Sequence, residues 1–292
     1  MDWLNGFDGR LDSNVSLSDL TWFRLGGPAA CVLSPRDEDQ LADLVRRAQT
    51  QGVPWRVLGH GANVLVSDAG VDGIVIRLDE PFFTRIDIEG ETVTAGAGAD
   101  LMKLCTACAD GGLAGLECMA GIPGTVGGAV RMNAGGRFGA VSDCIESIRV
   151  MRPAGVVETL PRARVGFGYR HSDLDRGIVL SARFRLHGEP AVQVKARIKE
   201  YWRLKKESQP IAAHSAGCIF KNPPGDSAGR LIDRAGLKGR TRGHARVSER
   251  HANFIVADEG ATATDVLGLV DEIRGTVQEK FGVRLELEID VW

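Results

Sequence analysis

The stretch AGIPGTVGGAVRMNAGG, Ala120 to Gly136, holds glycines at 121, 124, 127, 128, 135 and 136. Such a run strips side chains from a whole wall of the structure. A flat ligand or a pyrophosphate could then lie against bare backbone without a Cβ in the way. A compact loop packed against another backbone would use the same residues, so this stretch alone leaves two readings open. A second glycine segment, LGHGANVLVSD from Leu58 to Asp68, follows a short apolar strand pattern. Its backbone N–H groups could approach a phosphate closely. No GxGxxG opens a helix here, which excludes a Rossmann dinucleotide fingerprint. Two such loops in one half of the chain point to a large nucleotide cofactor.

The bulk numbers fit that reading. The 292 residues carry 36 Lys and Arg against 38 Asp and Glu, a formal net charge of −2, so neither nucleic acid nor an anionic membrane is a default partner. Glycine is the outlier at 37 residues, nearly twice the usual share. The N-terminus has no apolar run of secretory type, and the weakly charged stretch Leu113 to Val130 is interrupted by Glu117, Pro123 and several glycines. A cytoplasmic protein with reduced thiols is therefore expected. The six cysteines lack zinc-site spacing, and Cys105 and Cys108 fall within a helical pattern as small apolar residues. No metal is expected.

Hydrophobic periodicity outlines the architecture. A helix is expected from Ser34 to Gly52, with Ser34 as cap and Leu41, Leu44, Val45 and Ala48 on one face. Strands are expected at Trp55–Leu58, Asn63–Val66 and Gly73–Leu78, with hairpins turning at Gly90 and around Pro153-Ala154-Gly155. Further helices are expected over 100–110, 190–206, 228–235 and 264–281, with a linker over 207–214. From Val283 to Trp292 apolar and charged residues alternate strictly, which predicts a strand with one buried face. Strand pairs mixed with single helices give an α+β arrangement.

Candidate chemistry rests on three residues. Arg170, in GFGYRHSD, is a fixed positive charge after an aromatic; it also fits a surface arginine. Cys218, in SAGCIFKNP, fits a reactive thiol or a small packing residue. Glu288 lies on the polar side of the last segment, where a solvated carboxylate is the plain reading. His251 is equally open between structural and catalytic roles. The residues alone reach an enzyme with a nucleotide cofactor and a candidate Arg/Cys/Glu site.

Taken together, TWFRLGGPA (Thr21 to Ala29), LGHGANVLVSD, GIPGTVGGA, GYRHS, GCIFKNP, SERHANFIV and LELEIDVW resemble, in order, the UDP-N-acetylenolpyruvoylglucosamine reductase family. The resemblance covers nearly the whole chain and is to the shorter family type. It implies a two-part FAD-binding module of the vanillyl-alcohol-oxidase (PCMH) type over 1–80 and 81–206, followed by a smaller α+β substrate-binding domain over 207–292. It implies non-covalent FAD held by Leu58, Gly59, Gly61, Ala62, Asn63 and Val64 and by Ala120, Gly121, Ile122, Pro123, Gly124, Gly127, Gly128 and Ala129. It assigns catalysis to Arg170, Cys218 and Glu288, and substrate contacts to Tyr169, Lys221, Asn222 and His251. NADPH is implied as co-substrate of a monomeric enzyme that reduces a UDP-linked enolpyruvyl sugar for cell-wall synthesis. Cys218 stands where serine is commoner, Ala62 replaces a frequent serine, and His244 replaces a usual glycine. A related FAD-dependent oxidase is the nearest alternative, although the glycine loops offer no evident histidine tether. A Cys218–His251 nucleophilic pair is the alternative from another class.

Overall fold

The computed structural model describes residues 2–174 and 177–292. The chain folds into two compact units. Unit 1 comprises the residues up to Ser13, Cys31–Gly59 and Asp72–Leu204; unit 2 comprises Asn14–Ala30, His60–Val71 and Lys205–Trp292. The residues of unit 2 from 14–30 and 60–71 fall in the first of the three segments expected from sequence, so compactness does not follow chain order.

Unit 1 is built on a five-stranded antiparallel sheet in the order Val157–Pro161, Ile145–Met151, Ile178–Arg185, Thr92–Gly96, Ile86–Glu89. Its central strand, Ile178–Arg185, is buried at every position except Arg183 and Arg185. A four-stranded sheet, mostly in unit 1, runs Arg10–Ser16, Pro28–Ser34, Val71–Ile76, Trp55–Val57, with the last two strands parallel. Helix α1 (Glu38–Thr50) buries Leu41, Ala42, Leu44, Val45 and Ala48. Its cap is Asp37, whose carboxylate accepts from Gln40 N at 2.9 Å, whereas Ser34 closes the preceding strand. The expected start was four residues early because Pro35 follows Ser34 in extended chain before the helix begins.

Short helix α2 (Pro81–Thr84) precedes the Gly90 hairpin, and Asp100 caps α3 (Leu101–Asp110) through Lys103 N at 2.8 Å. Cys105 and Cys108 lie buried on the inner face of α3; burial, with the charge of Glu117 second, pushes the Cys108 thiol up to about 12. Helix α4 (Val126–Arg131) packs on the central strand, and α5 (Ala191–Ser208) runs two residues beyond its expected end and buries only Val194. One continuous core joins Leu33, Leu41, Ile76, Phe83, Val93, Leu104, Ile148 and Phe184. Each such side chain contributes roughly 1.5–3 kcal/mol by leaving water.

Unit 2 packs α6 (Ala228–Arg234) and α7 (Ala263–Phe281) with an antiparallel sheet of Thr241–Arg242, Ala245–Val247 and Ile255–Ala257. Gly282, at φ 68°, ends α7 in the left-handed conformation that a helix stop favours. The final segment departs from the expected continuous strand. Leu285 and Ile289 are buried, but Val291 is exposed and only Asp290–Val291 forms a strand, parallel to Val64–Leu65. The reason is that its backbone partners change along its length. Glu288 N donates to Ile219 O at 2.8 Å, whereas Asp290 N donates to Asn63 O and Trp292 N to Leu65 O, both at 2.9 Å. Among the described residues no helix is long and apolar enough to cross a membrane.

Asp68, which ends the Leu58–Asp68 glycine segment, reaches the start of α7. Its carboxylate accepts from Ala263 N at 2.7 Å, Thr264 N at 3.0 Å and the Thr264 hydroxyl at 2.7 Å. Burial alone would raise its pKa; the hydrogen bonds from Thr264 and from the two N–H groups outweigh this and hold it below the ordinary aspartate value. A depressed folded-state pKa stabilises above the unfolded value, and that share is lost as pH falls through the folded pKa. Asp68→Ala should therefore cost about 1 kcal/mol at neutral pH, the usual loss for a helix cap. Chemical unfolding of both proteins checks this: the gap between them should shrink as pH falls below about 4. A gap that is constant with pH would mean that Asp68 acts through packing.

Candidate active site

In unit 1 the long glycine segment is rigid. Ala120 N donates to Glu117 O at 2.9 Å, Ile122 N to Met119 O at 3.0 Å, Val126 N to Ala99 O at 2.9 Å and Gly127 N to Ala97 O at 2.8 Å. Thr125 caps α4, its hydroxyl accepting from Gly128 N at 3.3 Å. The two glycine segments meet here, since a Cβ on Gly59 would stand 2.6 Å from Thr125 Oγ1.

The glycines divide into two kinds. A Cβ on Gly127 would lie 2.9 Å from Ala97 Cβ, and one on Gly135 2.5 Å from Gly139 O, so these exist for close packing. At Gly124 (φ +134°) and Gly136 a Cβ would meet nothing within 4 Å. Open space in front of a hydrogen-bonded, side-chain-free loop fits an extended cofactor lying on backbone. Close packing thus accounts for Gly127 and Gly135, whereas Gly124 and Gly136 are not needed for it. Leu58 is buried with its N–H on Ile76 O at 2.9 Å, and Gly121 adopts φ +70°.

Glu117, seen in the sequence only as a charge, is a buried carboxylate leading into this loop. It accepts from Arg197 Nε at 2.8 Å, Arg197 Nη2 at 2.6 Å and Gly115 N at 2.5 Å. Both guanidinium N–H groups fall on one oxygen, Oε1, while Gly115 N takes Oε2, a charge-assisted pair that uses the whole carboxylate. Only the fold reveals it, because Arg197 is 80 residues away.

Arg170 and Tyr169 form the turn between Phe167–Gly168 and His171–Ser172, which pair antiparallel. Arg170 has φ +54°, a left-handed conformation that costs a non-glycine residue on the order of 1 kcal/mol. The hairpin is tied to the end of α4. Asn133 Nδ2 donates to Gly168 O at 2.9 Å, and the Ser172 hydroxyl to Arg131 O at 2.7 Å. The guanidinium carbon of Arg170 lies 5.3 Å from the centre of the exposed Tyr169 ring.

In unit 2 Cys218 is half-buried, whereas the other five cysteines are buried. It forms a single antiparallel bridge with Phe254, and Phe220 forms one with Leu287. Glu288 is brought beside this segment by its own N–H on Ile219 O, at 2.8 Å; Lys221 N donates to Glu286 O at 2.8 Å. Asn63 Nδ2 donates to Glu288 O at 3.1 Å, so residues 63, 218–221 and 288 converge. Gly61, at φ +64°, approaches Leu20, where a Cβ would lie 2.3 Å from the carbonyl oxygen. Ala62 and Val64 flank Asn63, half-buried.

Asn222 is exposed and spends its Oδ1 on Ala228 N at 3.0 Å, holding the start of α6. His251 takes the N–H of Asn253 on Nδ1 at 3.3 Å, and burial lowers its pKa. A half-buried imidazole with its Nδ1 engaged in a local turn suits a structural role better than a thiol-activating one. Among the described residues no cluster of His, Cys, Asp or Glu could hold a metal ion.

Comparisons with known proteins identify the family and the fold. A family model described as UDP-N-acetylenolpyruvoylglucosamine reductase, C-terminal domain, matches residues 209–292, and one described as FAD binding domain matches 29–161. The UDP-N-acetylenolpyruvoylglucosamine reductase of Methylorubrum populi is 44% identical over 96% of this chain and 91% of its own. The crystal structure of the UDP-N-acetylenolpyruvylglucosamine reductase of Thermus caldophilus, 44% identical, superposes with a TM-score of 0.85 over 97% of this chain and 99% of that one. A solvent-stable cholesterol oxidase shares the fold alone, at 18% identity and a TM-score of 0.50 over 63% of this chain and 39% of its own. The expected α+β fold with an FAD-binding module of the oxidase type is thereby found. With relatives this similar over almost its full length, the chain belongs to the UDP-N-acetylenolpyruvoylglucosamine reductase family, a family of FAD-dependent oxidoreductases.

Proposed function

We propose that this enzyme reduces UDP-N-acetylglucosamine enolpyruvate to UDP-N-acetylmuramate, a step of peptidoglycan precursor synthesis, with NADPH as co-substrate. In balance, NADPH, one proton and the enolpyruvyl ether give NADP⁺ and the lactyl ether. The observation that carries the reading is the convergence of Asn63, Cys218 and Glu288 in unit 2, three residues from separate motifs joined by the bonds to Ile219 O and Glu288 O. When bound, FAD supplies the hydride chemistry, accepting from NADPH and donating to the terminal carbon of the enolpyruvyl double bond. Residues 58–64 and 120–129 would hold it non-covalently, with bare backbone at Gly124 as the open surface.

The remaining work falls to side chains. Addition of hydride to the terminal carbon pushes an electron pair onto the carboxylate, and Arg170 opposes that charge with a permanently ionised fork. The hairpin ties from Asn133 and Ser172 support its placement, since they hold an otherwise strained turn. Cys218 breaks its S–H bond to give a proton to the α-carbon, and the thiolate left behind takes a proton from solvent. Glu288 assists as a neutral acid or through water, because an ionised carboxylate would repel the developing charge. Tyr169, Lys221, Asn222 and His251 are assigned to substrate binding. We place the enzyme in the cytoplasm as a monomer.

Five variants test the reading. Gly124→Val should lose its flavin, read from absorbance; at φ +134° the branched side chain also strains the backbone, so circular dichroism reports how much of the protein stays folded. Gly127→Val is the contrast, because it strikes Ala97 and should lower stability directly. Full flavin in Gly124→Val would move the cofactor elsewhere.

Arg170→Lys keeps the charge and loses the planar fork. NADPH should still bleach the flavin, while reoxidation by the enolpyruvyl sugar should slow by roughly 10²–10³-fold. Near-normal turnover would reduce Arg170 to a surface residue.

Cys218→Ala should likewise spare bleaching and slow sugar-dependent reoxidation by roughly 10²–10⁴-fold, the usual contribution of a positioned acid. Cys218→Ser should retain useful activity, which a nucleophilic thiol would not. Rapid-mixing measurement of both half-reactions separates these outcomes.

A further inference from the structure

The segment carrying Cys218 is not held by a regular ladder. Gly217 enters it at φ +80°, and its two bridges, to Phe254 and Leu287, are isolated. A single side chain supplies much of what a neighbouring strand would. Asn253, buried at 2% exposure, accepts from Phe220 N on Oδ1 at 3.0 Å and donates from Nδ2 to Phe220 O at 2.7 Å. Its own carbonyl accepts from Ile219 N at 2.8 Å. The carboxamide presents one acceptor and one donor, as a peptide group does, and so pairs with both backbone groups of Phe220.

On the opposite flank Ile219 O and Lys221 N are taken by Glu288 and Glu286. The Asn253 loop is itself anchored, with Phe254 N on His251 O at 3.0 Å and Ser248 N on Phe254 O at 2.9 Å.

We propose that Asn253 is a positioning residue for the reaction: its carboxamide acts as a surrogate strand that fixes the direction of the Cys218 thiol relative to Glu288. The inference rests on the reading of Cys218 as proton donor. Small losses of alignment at a reacting group have large kinetic effects; a displacement near 1 Å can cost about 100-fold. The chemistry also explains why asparagine and not aspartate stands here. An ionised aspartate is acceptor only, so Phe220 O would lose its donor and a charge would be buried. A protonated aspartate again offers one acceptor and one donor.

Asn253→Asp therefore gives a test that a merely structural role would not pass. The titratable and charged groups on the elements around it are His251 on its own loop, Cys218 and Lys221 on the clamped segment, Glu286 and Glu288 on the far flank, Arg274 near the Phe220 ring, Lys238 acting on His251, and Arg230 and Asp233 on α6, whose Gly229 packs against Asn253. All are present in both proteins, so the variant-to-wild-type ratio isolates the new carboxyl. Each half-reaction is measured on the FAD-loaded enzyme from about pH 5 to pH 9, where burial should raise the new carboxyl into range.

The expected result is unchanged flavin bleaching by NADPH, sugar-dependent reoxidation reduced roughly 100-fold at high pH, and a ratio that climbs toward one on acidification. A ratio flat with pH, or equal loss in both half-reactions, would overturn the proposal. If the aspartate variant does not fold, Asn253→Ser, which can serve only one of the two Phe220 groups, is read by the split between half-reactions; equal effects on both again overturn it. Cys218→Ala run in parallel tells the two failures apart. Normal reoxidation in that variant sinks the proton-donor reading and this inference with it, whereas slow reoxidation there beside a flat Asn253→Asp ratio sinks the inference alone.

Discussion

Gly59 and Thr125 approach so closely that no side chain can come between them: a Cβ on Gly59 would stand 2.6 Å from the threonine hydroxyl. Much of unit 1 depends on this contact. The same hydroxyl caps α4, α4 packs on the central strand of the five-stranded sheet, and its end holds the Arg170 hairpin through Arg131 and Asn133. Bare backbone packed this closely on a side chain leaves no room for a Cβ. It fixes the loop to which we assign the cofactor, at the conformational cost that glycine carries in the unfolded chain.

Unit 2 solves a different problem with side chains. Its chemistry-bearing segment, residues 217–222, has short and isolated bridges in place of long ladders. Its polar backbone must nevertheless be satisfied where it is buried. Asn253, Glu286 and Glu288 supply the partners, and Asn63 ties the last segment in turn. Irregular backbone held by several independent bonds can aim a side chain where a flat strand could not. Tyr169 and Arg170 follow the same rule in unit 1, with asparagine and serine side chains fixing a two-residue turn.

Local signals were read well where one element controls its own boundary. Asp100 and Gly111 bracket α3, Gly90 turns its hairpin, and Gly282 stops α7 close to their expected places. Reading failed where a partner elsewhere decides. Ser34 looked like a helix cap but closes a strand, because Asp37 has the better-placed carboxylate. The strict alternation after Val283 predicted one long strand, yet the backbone there changes partners from Ile219 to Asn63 and Leu65. Glu117 and Asn253 carried no sequence signal, since their meaning lies in residues 80 and 33 positions away.

The sequence by itself determined the α+β class, the helical faces, the two glycine segments and the motif set that marks the family. These are properties of short windows, where periodicity, capping and the absence of Cβ act over a few residues. Tertiary structure alone decided which glycines pack and which stand open, and which polar side chains hold the Arg170 and Cys218 segments. It also decided that residues 14–30 and 60–71 belong with the C-terminal part of the chain. Hydrogen-bond partners and close approaches are settled in space between segments far apart in the chain, and no local pattern of residues encodes that pairing.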